Sequence, residues 1–171
     1  MKFSKLNRLI HRWGSIVTLV PVGVMVVTGV VLQLKKDVAW IQPPTRRGVS
    51  DELTIGFDHV LEVTRRVPES QVDTWDDIDR LDVRPDRGML KVQCQNGWEV
   101  QIDGKTGDVL QVAYRRSDIL EGMHDGSFFH ESLRLWLFLP CGVALVLIWL
   151  TGAYLFFWPY FSKVRRQTKS H

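Results

Sequence analysis

The chain has 171 residues, a formal net charge of +3 and a sequence pI near 9.0, a length that suits one ordinary domain. The charge is segregated: all 19 Asp and Glu lie between Asp37 and Glu131, whereas Lys2, Lys5, Arg8 and Arg12 open the chain and Lys163, Arg165, Arg166 and Lys169 close it. This pattern excludes a uniform soluble globule and a nucleic-acid binder, because the basicity follows membrane topology and anionic lipid.

In chain order, residues 1–12 read as a basic cytoplasmic tail and residues 13–36 as a first transmembrane helix. Its uncharged stretch, Ile16 to Leu34, is ~29 Å long at ~1.5 Å per residue, against a hydrocarbon core of ~30 Å. A cleaved signal peptide fits less well, since its apolar region is ~7–15 residues and ends in a small-residue site. This stretch ends Val30-Val31-Leu32-Gln33-Leu34-Lys35-Lys36.

Residues 37–49, with Pro43-Pro44, read as a linker, and residues 50–116 as an extracytoplasmic domain. Thr54 is a cap for a helix over Ile55–Val67, whose Phe57, Val60, Leu61 and Val67 share one face, with Pro68 as the stop. His59, beside that face, reads as a partly exposed histidine. The period then changes from helical to alternating. Leu90, Val92 and Cys94 precede Asn96-Gly97, and Trp98, Val100 and Ile102 follow it, which predicts a hairpin closed by a type I′ turn. Asp103 to Gly107 forms a second turn, Val109 to Ala113 a third strand, and Leu81 with Val83 a fourth. The fold class is therefore an α+β membrane protein, one helix on a small antiparallel sheet between two transmembrane helices.

Residues 117–132 form a juxtamembrane segment, 133–161 a second transmembrane helix and 162–171 a second basic tail. The apolar run Leu135 to Phe161 exceeds the bilayer and would tilt. Trp13, Trp40, Trp136, Trp158 and Tyr160 mark the interfaces, and the cationic tails place both termini in the cytoplasm. Both spans carry Pro-x-Gly followed by Thr-Gly: Pro21, Gly23, Thr28 and Gly29, then Pro140, Gly142, Thr151 and Gly152. These read as kink and packing devices, with the threonines bonded to their own helix carbonyls. Cys94 reads as buried under the sheet and Cys141 as a packing residue of the second span, so the two do not pair.

Several motifs fail. Gly104-Lys105-Thr106 is no phosphate loop, because Glu99 stands where that motif needs glycine. The acidic run Asp73–Asp82 lacks the alternating ligand positions of a calcium loop. His130-Glu131 begins like a zinc-protease motif, but Arg134 replaces its second histidine, and no nucleophile elbow supports a hydrolase.

Trp98-Glu99-Val100-Gln101-Ile102-Asp103 running into Lys105-Thr106-Gly107-Asp108-Val109 resembles the last hairpin of a PepSY domain. His11-Arg12-Trp13-Gly14, Thr28-Gly29, Met123-His124-Asp125-Gly126-Ser127-Phe128-Phe129 and Leu150-Thr151-Gly152-Ala153-Tyr154-Leu155 resemble the PepSY-associated transmembrane helix family. Nearly the whole chain is covered, although longer relatives, including siderophore-iron reductases, have four or more spans. The resemblance implies a small protein of the bacterial inner membrane with a periplasmic PepSY domain. It would act as an accessory or electron-transfer subunit linked to iron-siderophore reduction or respiratory chemistry, a component of a membrane reductase rather than an enzyme alone. The alternative is a non-redox, membrane-anchored PepSY domain that binds or restrains an extracytoplasmic partner protein.

Reductases of this group look like b-type cytochromes, so His11, His124 and His130 become candidate haem b ligands by resemblance. Solvated interfacial histidines are the bland reading. His11 would lie at the cytoplasmic edge and the other two at the outer edge, about a bilayer thickness, ~30 Å, apart. His11 therefore cannot share one iron with either of the others, and within one chain only His124 and His130 could pair, both on one side. A homodimer or a larger membrane-protein complex would supply the facing imidazoles.

Overall fold

A computed structural model describes residues 3–150 and 153, with side chains described from Thr18 onward and at Trp13 and Ile16. The chain divides into two compact units, one made of residues 1–29 and 122–171 and the other of residues 30–121.

The unit of residues 30–121 is an α+β fold around a four-stranded antiparallel sheet. Helix α2 spans Phe57–Arg65. The strands are β1 (Ile78–Arg84), β2 (Met89–Cys94), β3 (Trp98–Asp103) and β4 (Val109–Tyr114), ordered β1-β2-β3-β4 as a meander. One sheet face buries Leu90, Val92, Cys94, Val100 and Ile102 against Val60, Val63 and Val67. Each such side chain contributes about 1.5–3 kcal/mol when fully removed from water.

The helix differs from expectation at its start. Its N-cap is Gly56, not Thr54. Thr54 instead donates its hydroxyl to the Lys105 carbonyl and its N–H to the Gly104 carbonyl, tying the approach to α2 to the second turn. Phe57 is exposed and stands edge-on to Trp75, while Val63 and Thr64 join Val60 in the buried face.

The hairpin stands where alternation predicted it, but its turn is different. Cys94 and Trp98 flank a three-residue loop in which Gly97 N–H bonds the Cys94 carbonyl at 3.0 Å. Gly97 alone has positive φ, +85°, whereas a type I′ turn needs it at Asn96 as well. The loop is the three-residue kind that ends in a left-handed glycine. Asn96 is used otherwise: its amide donates to the Glu69 and Ser70 carbonyls, fastening the loop to the segment after α2.

The opposite sheet face is the larger surprise. Lys91, Gln93, Glu99, Gln101 and Asp103, the polar half of the alternation, are all buried. Residues 44–49 form a strap bonded along this face. Gln101 donates to the Pro44 carbonyl and accepts from Arg46 N–H, and Asp103 accepts from Val49 N–H at 2.6 Å. Gly48 N–H reaches the Arg87 carbonyl. Polar groups can be buried here because nearly all of them are hydrogen-bonded.

Helix α1 runs Phe3–Gln33, continuous through Pro21. Helix α3 (Arg116–Asp125) precedes a turn at Gly126, φ +87°, and helix α4 covers Glu131–Leu150. At 20 residues and a mean hydropathy of 2.1, α4 is long and apolar enough to cross a membrane, while the apolar part of α1, Thr18–Gln33, is shorter. Within α4, Leu139 N–H bonds the Arg134 carbonyl five residues back, a π turn immediately before Pro140. Thr151, Gly152 and residues 154–171, with the second basic tail, lie outside the described residues.

Candidate functional site: an imidazole held between helices

His124 ends α3 and reaches α1. Its Nδ1 lies 3.0 Å from the Met25 carbonyl and 3.2 Å from the Thr28 hydroxyl. The carbonyl can only accept, so Nδ1 is the donor in this contact, and in the neutral ring that leaves the lone pair on Nε2. Thr28 is buried and bonds its own helix through the Val24 carbonyl at 2.6 Å. Gly29 makes room: a Cβ there would stand 3.2 Å from His124 Cε1. The Thr28-Gly29 pair is thus a seat for an imidazole as well as a packing device. A histidine whose Nδ1–H is fixed by a carbonyl is the usual state of a metal-bound histidine, since the outer hydrogen bond sets the tautomer and the ring direction.

His130 is held the other way. It is the N-cap of α4, and its Nδ1 accepts Ser132 N–H at 3.1 Å. Its neutral proton therefore sits on Nε2, and ligation through Nε2 would require the cap to be given up. The two histidines therefore use Nδ1 in opposite senses, His124 towards a carbonyl acceptor and His130 towards an N–H donor. The side chain of His11 lies outside the described residues. Nearby, Asp125 accepts from Ser127 O–H and N–H and faces Arg134. Burial opposes its ionisation, but these hydrogen bonds and the Arg134 charge hold its carboxyl below the usual range.

A second polar constellation lies in the sheet unit. Glu99, fully buried, accepts from Lys91 Nζ at 3.2 Å, Arg115 Nη1 at 2.7 Å and Gln101 Nε2 at 2.6 Å. Arg115 also pairs with Asp118 at 3.0 Å. Burial would weaken the Arg115 guanidinium, but Asp118 and Glu99 more than compensate and raise its pKa. Lys91, Glu99, Arg115 and Asp118 balance one another, which is how a charge cluster survives burial. Sequence reading placed Lys91 and Glu99 as alternating partners of an apolar face; the signal for their burial was Pro43-Pro44 followed by a strap-length segment.

Beside this cluster is a cavity of about 480 Å³ lined by Gln93, Trp98, Tyr114, Arg115 and Ile119. Gln93 Oε1 accepts from Arg80, which fixes the amide, and its buried Nε2 has no acceptor among the described residues. Cys94, under the sheet, has its thiol pushed up to about 11 by burial and by Asp77, so it is not a reactive thiol. Among the described residues, no group of three or more His, Cys, Asp or Glu forms a metal site.

No curated protein and no solved structure matches the chain. The family model described as the PepSY-associated TM region matches residues 8–171, and the chain belongs to that family, a membrane-associated PepSY protein.

Proposed function

We propose that the chain is a two-span subunit of the bacterial cytoplasmic membrane, with both termini inside and the PepSY-like domain of residues 50–116 outside, that carries electrons as an accessory to iron-siderophore reduction or respiratory chemistry. Charge segregation supports the topology, and at ~1.5 Å per residue the 31-residue α1 extends ~46 Å, more than a hydrocarbon core. The observation that carries the redox reading is the 3.0 Å contact of His124 Nδ1 with the Met25 carbonyl, which in the neutral ring would leave Nε2 to donate to iron. Met25 and Thr28 orient the ring, and Gly29 admits it. Haem b, when bound there, supplies a one-electron iron couple. A second copy of the chain, or another subunit, brings the facing imidazole.

The test is a reduced-minus-oxidised spectrum of the full chain purified from haem-sufficient cells. A haem b signal lost in His124→Ala and kept in His130→Ala supports the reading; a preparation without a Soret band overturns it.

One observation favours the non-redox alternative, a domain that binds or restrains an extracytoplasmic partner. The cavity beside Gln93 offers a buried donor and the Trp98–Tyr114 edge-to-face pair, a setting suited to a peptide carbonyl with an apolar neighbour. Under that reading Gln93→Leu loses the co-purifying protein while the haem spectrum is absent from both forms.

A further inference from the structure

A second cleft in the unit of residues 30–121, about 560 Å³, is unlike the first in its charge. Its rim carries Lys35, Lys36, Arg80, Arg84 and Arg87, and its floor carries Lys91 and Arg115. The floor cations are already balanced by Glu99 and Asp118. At the rim, Glu121 pairs with Lys35, Asp82 is shared by Arg80 and Arg84, and Asp86 stands 3.9 Å from Arg87. Five rim cations thus meet three carboxylates, and two positive charges remain over an open, half-exposed ring of guanidiniums.

The wall is built from the strap. Pro43, Pro44 and Thr45 line it, and Pro44 is fixed by the hydrogen bond from Gln101. Gln42 also lines it, and its buried Oε1 has no donor among the described residues. A ligand matching this cleft brings anionic oxygens for the guanidiniums and a hydroxyl for Gln42. Guanidinium forks are suited to phosphate oxygens.

We infer that this cleft binds a glycerol phosphate group, with Arg80, Arg84, Arg87 and Lys36 holding the phosphate oxygens and Gln42 accepting from a glycerol hydroxyl. Lys35 and Lys36 follow α1 after the single residue Leu34, so if α1 spans the membrane, as proposed above, the cleft adjoins the headgroup layer. The group can then arrive as the headgroup of phosphatidylglycerol or as a free glycerol phosphate. The phosphate chemistry itself stands on the cleft alone; the lipid source rests on the topology.

The full chain in neutral phosphatidylcholine nanodiscs is titrated calorimetrically with glycerol phosphate and with a water-soluble short-chain phosphatidylglycerol. Saturable binding is expected, weakening as salt rises, and falling roughly tenfold or more in Arg80→Gln/Arg84→Gln/Arg87→Gln. A control, Arg47→Gln/Arg66→Gln/Lys105→Gln, removes the same charge from outside the cleft and leaves binding unchanged. Matching thermal melts of both variants exclude misfolding. Tighter binding of the short-chain lipid identifies the headgroup source, and equal binding identifies the soluble one; both support the site. Absence of saturable binding to either probe, or equal loss in the control variant, overturns it. Neither result bears on the haem spectrum, so the two readings fail separately.

Discussion

Replacing Glu99 by Gln removes one charge from the buried cluster with almost no change of shape. In the native chain the Glu99 carboxylate faces Lys91 at 3.2 Å and Arg115 at 2.7 Å, with those side chains 4% and 9% exposed and its own 0%. The variant leaves two buried cations with Asp118 as their remaining anion, a net excess of one. Removing one member of a buried ion pair costs about 3–5 kcal/mol, because the charge left behind lacks both water and partner. For a unit of this size that corresponds to a fall in Tm of roughly 12–30 °C. The assay is thermal unfolding of the full chain in detergent, followed by the near-ultraviolet circular dichroism of Trp98 against Tyr114, which lie 5.8 Å apart. Glu99→Gln combined with Lys91→Met restores neutrality and is expected to recover at least half of the loss, roughly 2 kcal/mol or more. A Glu99→Gln variant within about 1 kcal/mol of the native chain would refute burial of the cluster, since that is the scale of an exposed pair.

Two further outcomes follow from the same unit. Asp103 accepts Lys105 and Thr106 N–H at 2.8 Å on one oxygen and Val49 N–H on the other. Burial disfavours its charge, but these backbone donors more than offset it and its pKa is lowered. The stabilisation is therefore present above its unfolded pKa of about 3.9 and is lost as pH falls through the lower folded value. Asp103→Asn should cost about 1–3 kcal/mol at neutral pH, by opposing an amide to Val49 N–H, and should flatten the acid limb of a stability-against-pH curve. Cys94, with its thiol near 11, should resist iodoacetamide at pH 7.5 in the folded chain and react on denaturation; equal rates in both states would contradict its burial.

The sheet was legible because period-two alternation is imposed by strand geometry, and the positions Leu90, Val92, Val100 and Ile102 face one core as alternation requires. The turn type was not, because Asn-Gly serves two loop lengths. The choice fell to Asn96, whose side chain bonds Glu69 and Ser70 some 27 and 26 residues away. Thr54 misled for a related reason, since its partner, the Lys105 carbonyl, is far along the chain. Alternation also says nothing about what covers the polar face, so the burial of Glu99 and Gln101 beneath the strap was beyond it. For the site, sequence named His124 and His130 alike through resemblance. What separates them is whether Nδ1 donates or accepts, a consequence of the Met25 carbonyl lying across from one and Ser132 N–H beside the other.

The proposed electron-transfer role depends on which side of the membrane each segment occupies. In a Cys94→Ala/Cys141→Ala background, single cysteines at Asp86, which is 75% exposed, at Ser4 and at Ser170 can be treated with a membrane-impermeant maleimide in intact spheroplasts. The account predicts labelling of the Asp86→Cys chain before lysis and of the Ser4→Cys and Ser170→Cys chains only after it. Labelling of either terminal cysteine in intact spheroplasts, or protection of the one at position 86, would contradict it.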